Sequence, residues 1–147
     1  MAQNQRHVRD VMTANPECVS QSDSIRDVAR IMKEQDTGVV PVVDGKKIIG
    51  LITDRDIVVR GLAEGKDLGN VRVNELMTKQ VRSVREDAPV NEALSLMTSA
   101  EVRRVPVVNR NDEIVGIVSI GDIATNTNQD GKVGNALEDI SDAPPNN

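Results

Sequence analysis

The chain has 147 residues, a formal charge of −5 and no Phe, Trp or Tyr. That length makes one ordinary domain or two very small ones, with a core of Val, Ile, Leu, Met and Ala. An acidic balance argues against nucleic acid and anionic membrane as partners, because both need clustered positive charge, and without aromatic rings bases cannot stack on side chains.

The chain opens on a polar stretch, MAQNQRH, read as a disordered leader over residues 1–7 that holds the only histidine, His7. No apolar run approaches the length of a bilayer span. The single cysteine, Cys18, excludes an intramolecular disulfide, and a lone thiol fits a reducing compartment, so the expected location is cytoplasmic.

From Val8 the sequence repeats itself. VRDVMTANPECVS at Val8 to Ser20 returns as VNELMTKQVRSVR at Val73 to Arg85, and one fixed offset relates Met12 to Met77 and Pro41 to Pro106. The offset grows by one residue between Gly50 and Gly116, where the polar turn beginning at Asn109 is longer than the one beginning at Asp44. An insertion in a turn is where a duplicated unit tolerates it.

Both copies predict the same elements in order. A short helical turn ends in Met-Thr, and a strand follows, Cys18 to Ser20 or Arg82 to Val84. Next comes an amphipathic helix with Ile25, Val28, Ala29, Ile31 and Met32, or Val90, Ala93, Leu94 and Met97, on its apolar face. Two strands joined by a polar turn follow, Val39 to Val43 with Ile48 to Ile52, and Val105 to Val108 with Ile114 to Val118. Pro41 and Pro106 lie inside these strands, where a residue without an N–H calls for an edge or an irregular position.

Each last strand runs into a helix through a hydroxyl followed three residues later by a carboxylate, Thr53 with Asp56 and Ser119 with Asp122. The plain reading is a capping box, in which hydroxyl and acid satisfy the backbone N–H groups at a helix start. The fold class is α/β (α+β), two β-α-β-β-α units over residues 8–60 and 73–125 joined by a linker at 61–72. A polar tail over 126–147 could form a short helix through Val133, Ala136, Leu137 and Ile140. Units of this size bury little core alone, so they are expected to pack face to face about a pseudo-twofold axis, with the binding cleft between them.

The repeated M-T, V-V-P-V-V with G-L-I-T-D-R-D, and R-R-V-P-V-V with G-I-V-S-I-G-D closely resemble a tandem pair of cystathionine β-synthase (CBS) domains, over about residues 8 to 125. The resemblance implies a stand-alone regulatory or sensor module binding adenosine-containing ligands, AMP foremost, or ADP, ATP or S-adenosyl compounds. It assigns the ribose hydroxyls to Asp56 and Asp122, and Thr53 and Ser119 to ribose or phosphate. Leu51 and Ile117 would wall the adenine, and backbone groups near Glu17 and Arg82 would read its edge. Phosphate would fall to Arg55, Arg103 and Arg104, each of which as a structural residue is simply a solvated arginine. The copies differ here: Gly121 stands in place of Arg55, and Gly38 and Val39 in place of Arg103 and Arg104.

The resemblance also implies a homodimer through the helices after the two turns, including Ile57, Val58, Ile123 and Ala124, and an unspecified regulated protein. A structural interaction domain without ligand is the alternative. A nucleotide-hydrolysing enzyme is a third, for which Asp54 beside Asp56 could hold Mg²⁺ through a phosphate. Against catalysis, Cys18 has no motif-paired base and no metal-ligand constellation appears.

Overall fold

The computed structural model describes residues 6–126, arranged as two compact units, one built from residues 6–15 together with 82–126, the other from residues 16–81. The leader up to residue 5 and the tail with its candidate helix lie outside the described residues. These units do not coincide with the sequence repeats. Each repeat's opening segment packs in the unit that holds the rest of the other repeat.

In the unit of residues 16–81, a segment carrying Val19 leads to a helix α2 (Ile25–Gln35), then strands β2 (Val39–Asp44) and β3 (Lys47–Thr53), a short helix α3 (Asp54–Asp56) that widens into a π-helical stretch (Ile57–Leu62), and α4 (Val73–Leu76). Ser24 starts α2 by accepting from the Asp27 N–H at 3.1 Å, and Asp36 ends it in the left-handed region at φ 51°. β2 and β3 pair antiparallel, with Val39 opposite Thr53 and Pro41 opposite Leu51. The strand expected at Cys18 to Ser20 is reduced to one parallel bridge, Val19 to Val42. Thr78 bridges the far side of β3 at Leu51. Pro41 is therefore an inner residue, yet its missing N–H breaks no bond. The link to Val19 begins at its carbonyl, which accepts from the Val19 N–H at 3.0 Å.

The other unit contains α1 (Val8–Val11), β1 (Thr13–Ala14), β4 (Val84–Arg85), α5 (Val90–Ala100), β5 (Arg104–Val108), β6 (Ile114–Ser119) and α6 (Ile120–Asn126). Its sheet has the order β1-β6-β5-β4, with β4 parallel to β5 and the other pairs antiparallel. Its strand before α5 is shorter than the expected Arg82 to Val84, beginning two residues later, at Val84, and ending at Arg85. The arrangement matches the first unit position for position, with β1 where Thr78 stands and β4 where Val19 stands.

The exchanged segments are core elements. Val8 and Val11 of α1 are buried with Val84, Leu94, Met97, Val107, Val118 and Ile123. Their anchorage is backbone as well: the Val8 N–H donates to the Ala88 carbonyl at 2.9 Å and the Arg9 N–H to the Glu86 carbonyl at 3.0 Å. In the other unit Val73, Leu76 and Met77 are buried with Val28, Val40, Val42 and Ile52. Gly50 and Gly116 admit these segments. A Cβ on Gly50 would lie 2.6 Å from the Thr78 carbonyl oxygen, and one on Gly116 would strike Met12 Sδ and come within 2.9 Å of the Thr13 carbonyl oxygen. The glycine is required there because backbone approaches backbone.

Candidate functional site

Alternation along the last strand of each unit sets the site. In β3 Ile52 is buried, and Leu51 and Thr53, its neighbours on either side, share the opposite face; in β6 Val118 is buried and Ile117 and Ser119 share that face. Leu51, Thr53, Ile117 and Ser119 are all half-buried. An aliphatic side chain and a hydroxyl thus stand side by side where each strand becomes a helix.

Both hydroxyls and both acids form reciprocal capping boxes. The Asp56 N–H donates to Thr53 Oγ1 at 3.0 Å and the Thr53 N–H to Asp56 Oδ2 at 3.0 Å. The Asp122 N–H donates to Ser119 Oγ at 3.0 Å and the Ser119 N–H to Asp122 Oδ2 at 3.0 Å. Each box engages one oxygen, Oδ2, of its carboxylate. An ionised carboxylate has about four lone-pair directions, so a box consumes only part of its accepting capacity.

The two acids differ in their surroundings. Asp56 is buried at 8% exposure, and the Thr78 hydroxyl lies 3.3 Å from its Oδ1 and 3.4 Å from its Oδ2. Arg60 Nε stands 3.7 Å from Asp56 Oδ1, while Arg60 Nη1 donates to the Met77 carbonyl at 3.0 Å. Asp122 is half-buried. Thr78 and Arg60 are members of this site that sequence reasoning missed. For Thr78 the repeated Met-Thr was the available signal; Arg60, in the turn after Asp56, had none beyond its spacing.

The other expected residues fall as follows. Arg55 is exposed, and its backbone N–H donates to Asp54 Oδ1 at 2.8 Å. Arg104 pairs with Ser119 across β5 and β6, and the Arg103 carbonyl accepts from the Ile120 N–H at 2.9 Å, so both arginines adjoin the Ser119 turn. Arg103 is exposed and Arg104 half-buried. In the other unit the same backbone contacts come from Gly38 and Val39, with no cation. A Cβ on Gly38 would meet Asp54 Oδ2 at 2.9 Å. Glu17 and Arg82 are exposed, in the segments leading to Val19 and Val84. Next to Glu17, burial first and the neighbouring negative charge second push the Cys18 thiol up from its ordinary value.

Of the residues expected at a dimer interface, Ile123 is instead fully buried in its own unit's core, because the first turn of α6 directs it beneath the sheet. Val58 is 53% exposed, and Val59 and Leu62 beside it are 45% and 63% exposed. Among the described residues no group of three or more His, Cys, Asp and Glu side chains is placed to hold a metal ion, and no helix is long and apolar enough to cross a membrane.

Comparison with known proteins bears on this arrangement directly. The CBS domain profile matches residues 8–62 and again residues 73–126. The Bacillus subtilis (strain 168) protein YlbB is 39% identical over 137 residues, 92% of this chain and 91% of its own. Hypoxic response protein 1 of Mycobacterium tuberculosis is 38% identical over 117 residues, 79% of this chain and 81% of its own. Its crystal structure, determined with two coordinated zinc ions, matches with a TM-score of 0.77 at 36% identity, covering 83% of this chain and 99% of that one. The CBS domain pair of protein MJ0100, solved in complex with 5′-methylthioadenosine and S-adenosyl-L-methionine, matches with a TM-score of 0.71 at 32% identity, covering 82% of this chain and 94% of that one.

Proposed function

The chain belongs to the CBS domain family, with two copies of the domain, and from that premise we propose that it is a non-catalytic regulatory module that binds an adenosine-containing ligand, AMP foremost. The observation that supports this most is the pair of hydroxyl-carboxylate turns. Each holds a carboxylate in a fixed orientation beside an aliphatic side chain, Leu51 or Ile117, at the exit of a strand. Vicinal ribose hydroxyls need an oriented acceptor, and adenine without aromatic partners needs an aliphatic wall. The relative solved with two adenosyl compounds supports the ligand class.

The two turns are unequal in this reading. Arg103 and Arg104 adjoin the Ser119 turn, whereas Gly38 and Val39 occupy the matching places beside Thr53. A phosphate-bearing ligand then favours the turn with Asp122, and an uncharged adenosine compound discriminates less. Mg²⁺ enters only with a polyphosphate ligand such as ATP, beside Asp54. The exposed Val58, Val59 and Leu62 support association as a homodimer, and the location proposed is cytoplasmic.

The test is calorimetric titration with AMP, adenosine and S-adenosylmethionine. Asp122→Asn is expected to weaken AMP about 10-fold or more, the worth of one hydrogen bond to a charged acceptor. Arg103→Ala is expected to weaken AMP while leaving adenosine unchanged. Equal losses for both ligands would remove the phosphate role of Arg103, and no binding of any adenosyl compound would favour a purely structural interaction domain.

A further inference from the structure

A cavity of about 340 Å³ opens in the unit that contains the second hairpin, lined by Arg9 of α1, Arg85 at the end of β4, Glu86 and Asp87 just after it, and Arg110 in the turn between β5 and β6. Backbone bonds fix its walls: the Glu86 N–H donates to the Val108 carbonyl at 2.9 Å and the Arg9 N–H to the Glu86 carbonyl at 3.0 Å. The turn is held by Asn109, whose Oδ1 accepts from the Asn111 and Glu113 N–H groups at 2.9 and 3.1 Å. This corner lies at the start of β6, and the Ser119 turn lies at its end. Over Ile114–Ser119, at about 3.3 Å per residue, the two are roughly 17 Å apart.

Three arginines face two carboxylates here, a local positive excess in a chain of net charge −5. Arg85 reaches only Asp87, through Nη2 at 3.4 Å with both side chains nearly half exposed. Its Nε is the one buried side-chain polar atom without a hydrogen-bond partner among the described residues. A guanidinium held by one long ion pair, with a second donor unmatched, gains by turning onto an oxyanion that accepts from both edges. The repeat supplies an internal comparison. At the same corner of the other unit, Asn74, Ser20 and Gly45 stand in place of Arg9, Arg85 and Arg110. The three arginine positions are thus uncharged in the copy, whose turn carries Lys46 and Lys47 instead.

We propose that this corner is a second binding site, for a small phosphorylated anion, separate from the adenosine-type turns and independent of them. Arg85 is the central ligand, Arg110 and Arg9 flank it, and the neighbouring carboxylates Glu86 and Asp87 exclude large polyanions by repulsion. A phosphate offers more acceptor oxygens than a carboxylate's two, enough to meet the planar forks of more than one guanidinium at once.

The test is titration of the full chain with inorganic phosphate, followed by nuclear magnetic resonance of the arginine Nε–H groups and the backbone amides. The expected result is a saturable shift of the Arg85 Nε–H and of the amides near Asp87 and Arg110, with adenosine failing to compete. Arg85→Gln is expected to weaken phosphate about 10-fold. Arg110→Gln, on an exposed turn that does not bear on folding, is expected to weaken it several-fold. Absence of a saturable response, or a response confined to the Ser119 and Asp122 amides, overturns the site. Binding unchanged in Arg110→Gln and Arg85→Gln overturns it as well. Failure of adenosine to bind anywhere in the same titrations would count against the function proposed above and leave this site standing.

Discussion

At the scale of single residues, Asp56 carries the most consequence. Its carboxylate closes a capping box with Thr53, receives the Thr78 hydroxyl and faces Arg60, all while nearly shielded from water. Asp56→Ala is expected to destabilise the fold by about 1–3 kcal/mol, because the cap is lost and buried donors are left without an acceptor. Thr53→Ala, which loses only the cap, should cost about 1 kcal/mol. Urea unfolding followed by far-ultraviolet circular dichroism measures both, since the chain has no aromatic fluorescence. The capping boxes themselves were legible, because hydroxyl and acid sit within one helical turn and their spacing dictates their contact. The partnership with Thr78 was not, since it joins residues far apart in the chain through the meeting of strand and returning segment. Cys18 gives a second check. With its thiol pushed up by burial and then by Glu17, it is expected to react with iodoacetamide more slowly than a free cysteine at neutral pH, and urea should restore the rate. The linkage has a definite sign. A group whose folded-state value is raised supports the fold at low pH and withdraws that support as pH climbs through the raised value.

At the scale of elements, the two helices and four long strands were readable from periodicity, since Ile25 to Met32 and Val90 to Met97 follow the helical repeat and the strands are rich in β-branched residues. The short first strand was overstated because Cys18 to Ser20 meets its neighbour at one bridge only. β1 was unreadable: Thr13 and Ala14 are exposed and carry no pattern, and they become a strand only because β6 offers them an edge. The glycines that let the returning segments approach β3 and β6 yield a sharp prediction. Gly50→Ala sets a Cβ against a backbone carbonyl oxygen, an atom that cannot swing aside, so a loss of about 1–3 kcal/mol is expected. Hydrogen exchange should then show faster opening at the Leu51 and Thr78 amides, which exchange bonds at 3.0 and 2.8 Å.

For the whole molecule, the repeat in sequence and the units in space are cut at different places. The sequence displays the duplication, and nothing in it displays which copy a leading segment joins, because Val8 and Val73 offer near-identical apolar faces. A fragment of residues 16–81 therefore contains a complete core, whereas residues 8–62 lack Val71, Val73, Leu76 and Met77 and carry α1 without its partners. The first is expected to unfold cooperatively in urea and the second to lack a cooperative transition; equal behaviour would contradict the exchange of segments. The arrangement also sets a timetable for synthesis. The unit of residues 16–81 can close as soon as Leu76 and Met77 have left the ribosome, while α1, made first, must wait for β4, β5 and β6. At about 5–20 residues per second that delay, from Val11 to Ser119, lasts about 5–20 s. During it Val8, Val11 and Met12 are sticky and unclaimed, so the start of this chain is where a nascent-chain chaperone has the most to shield.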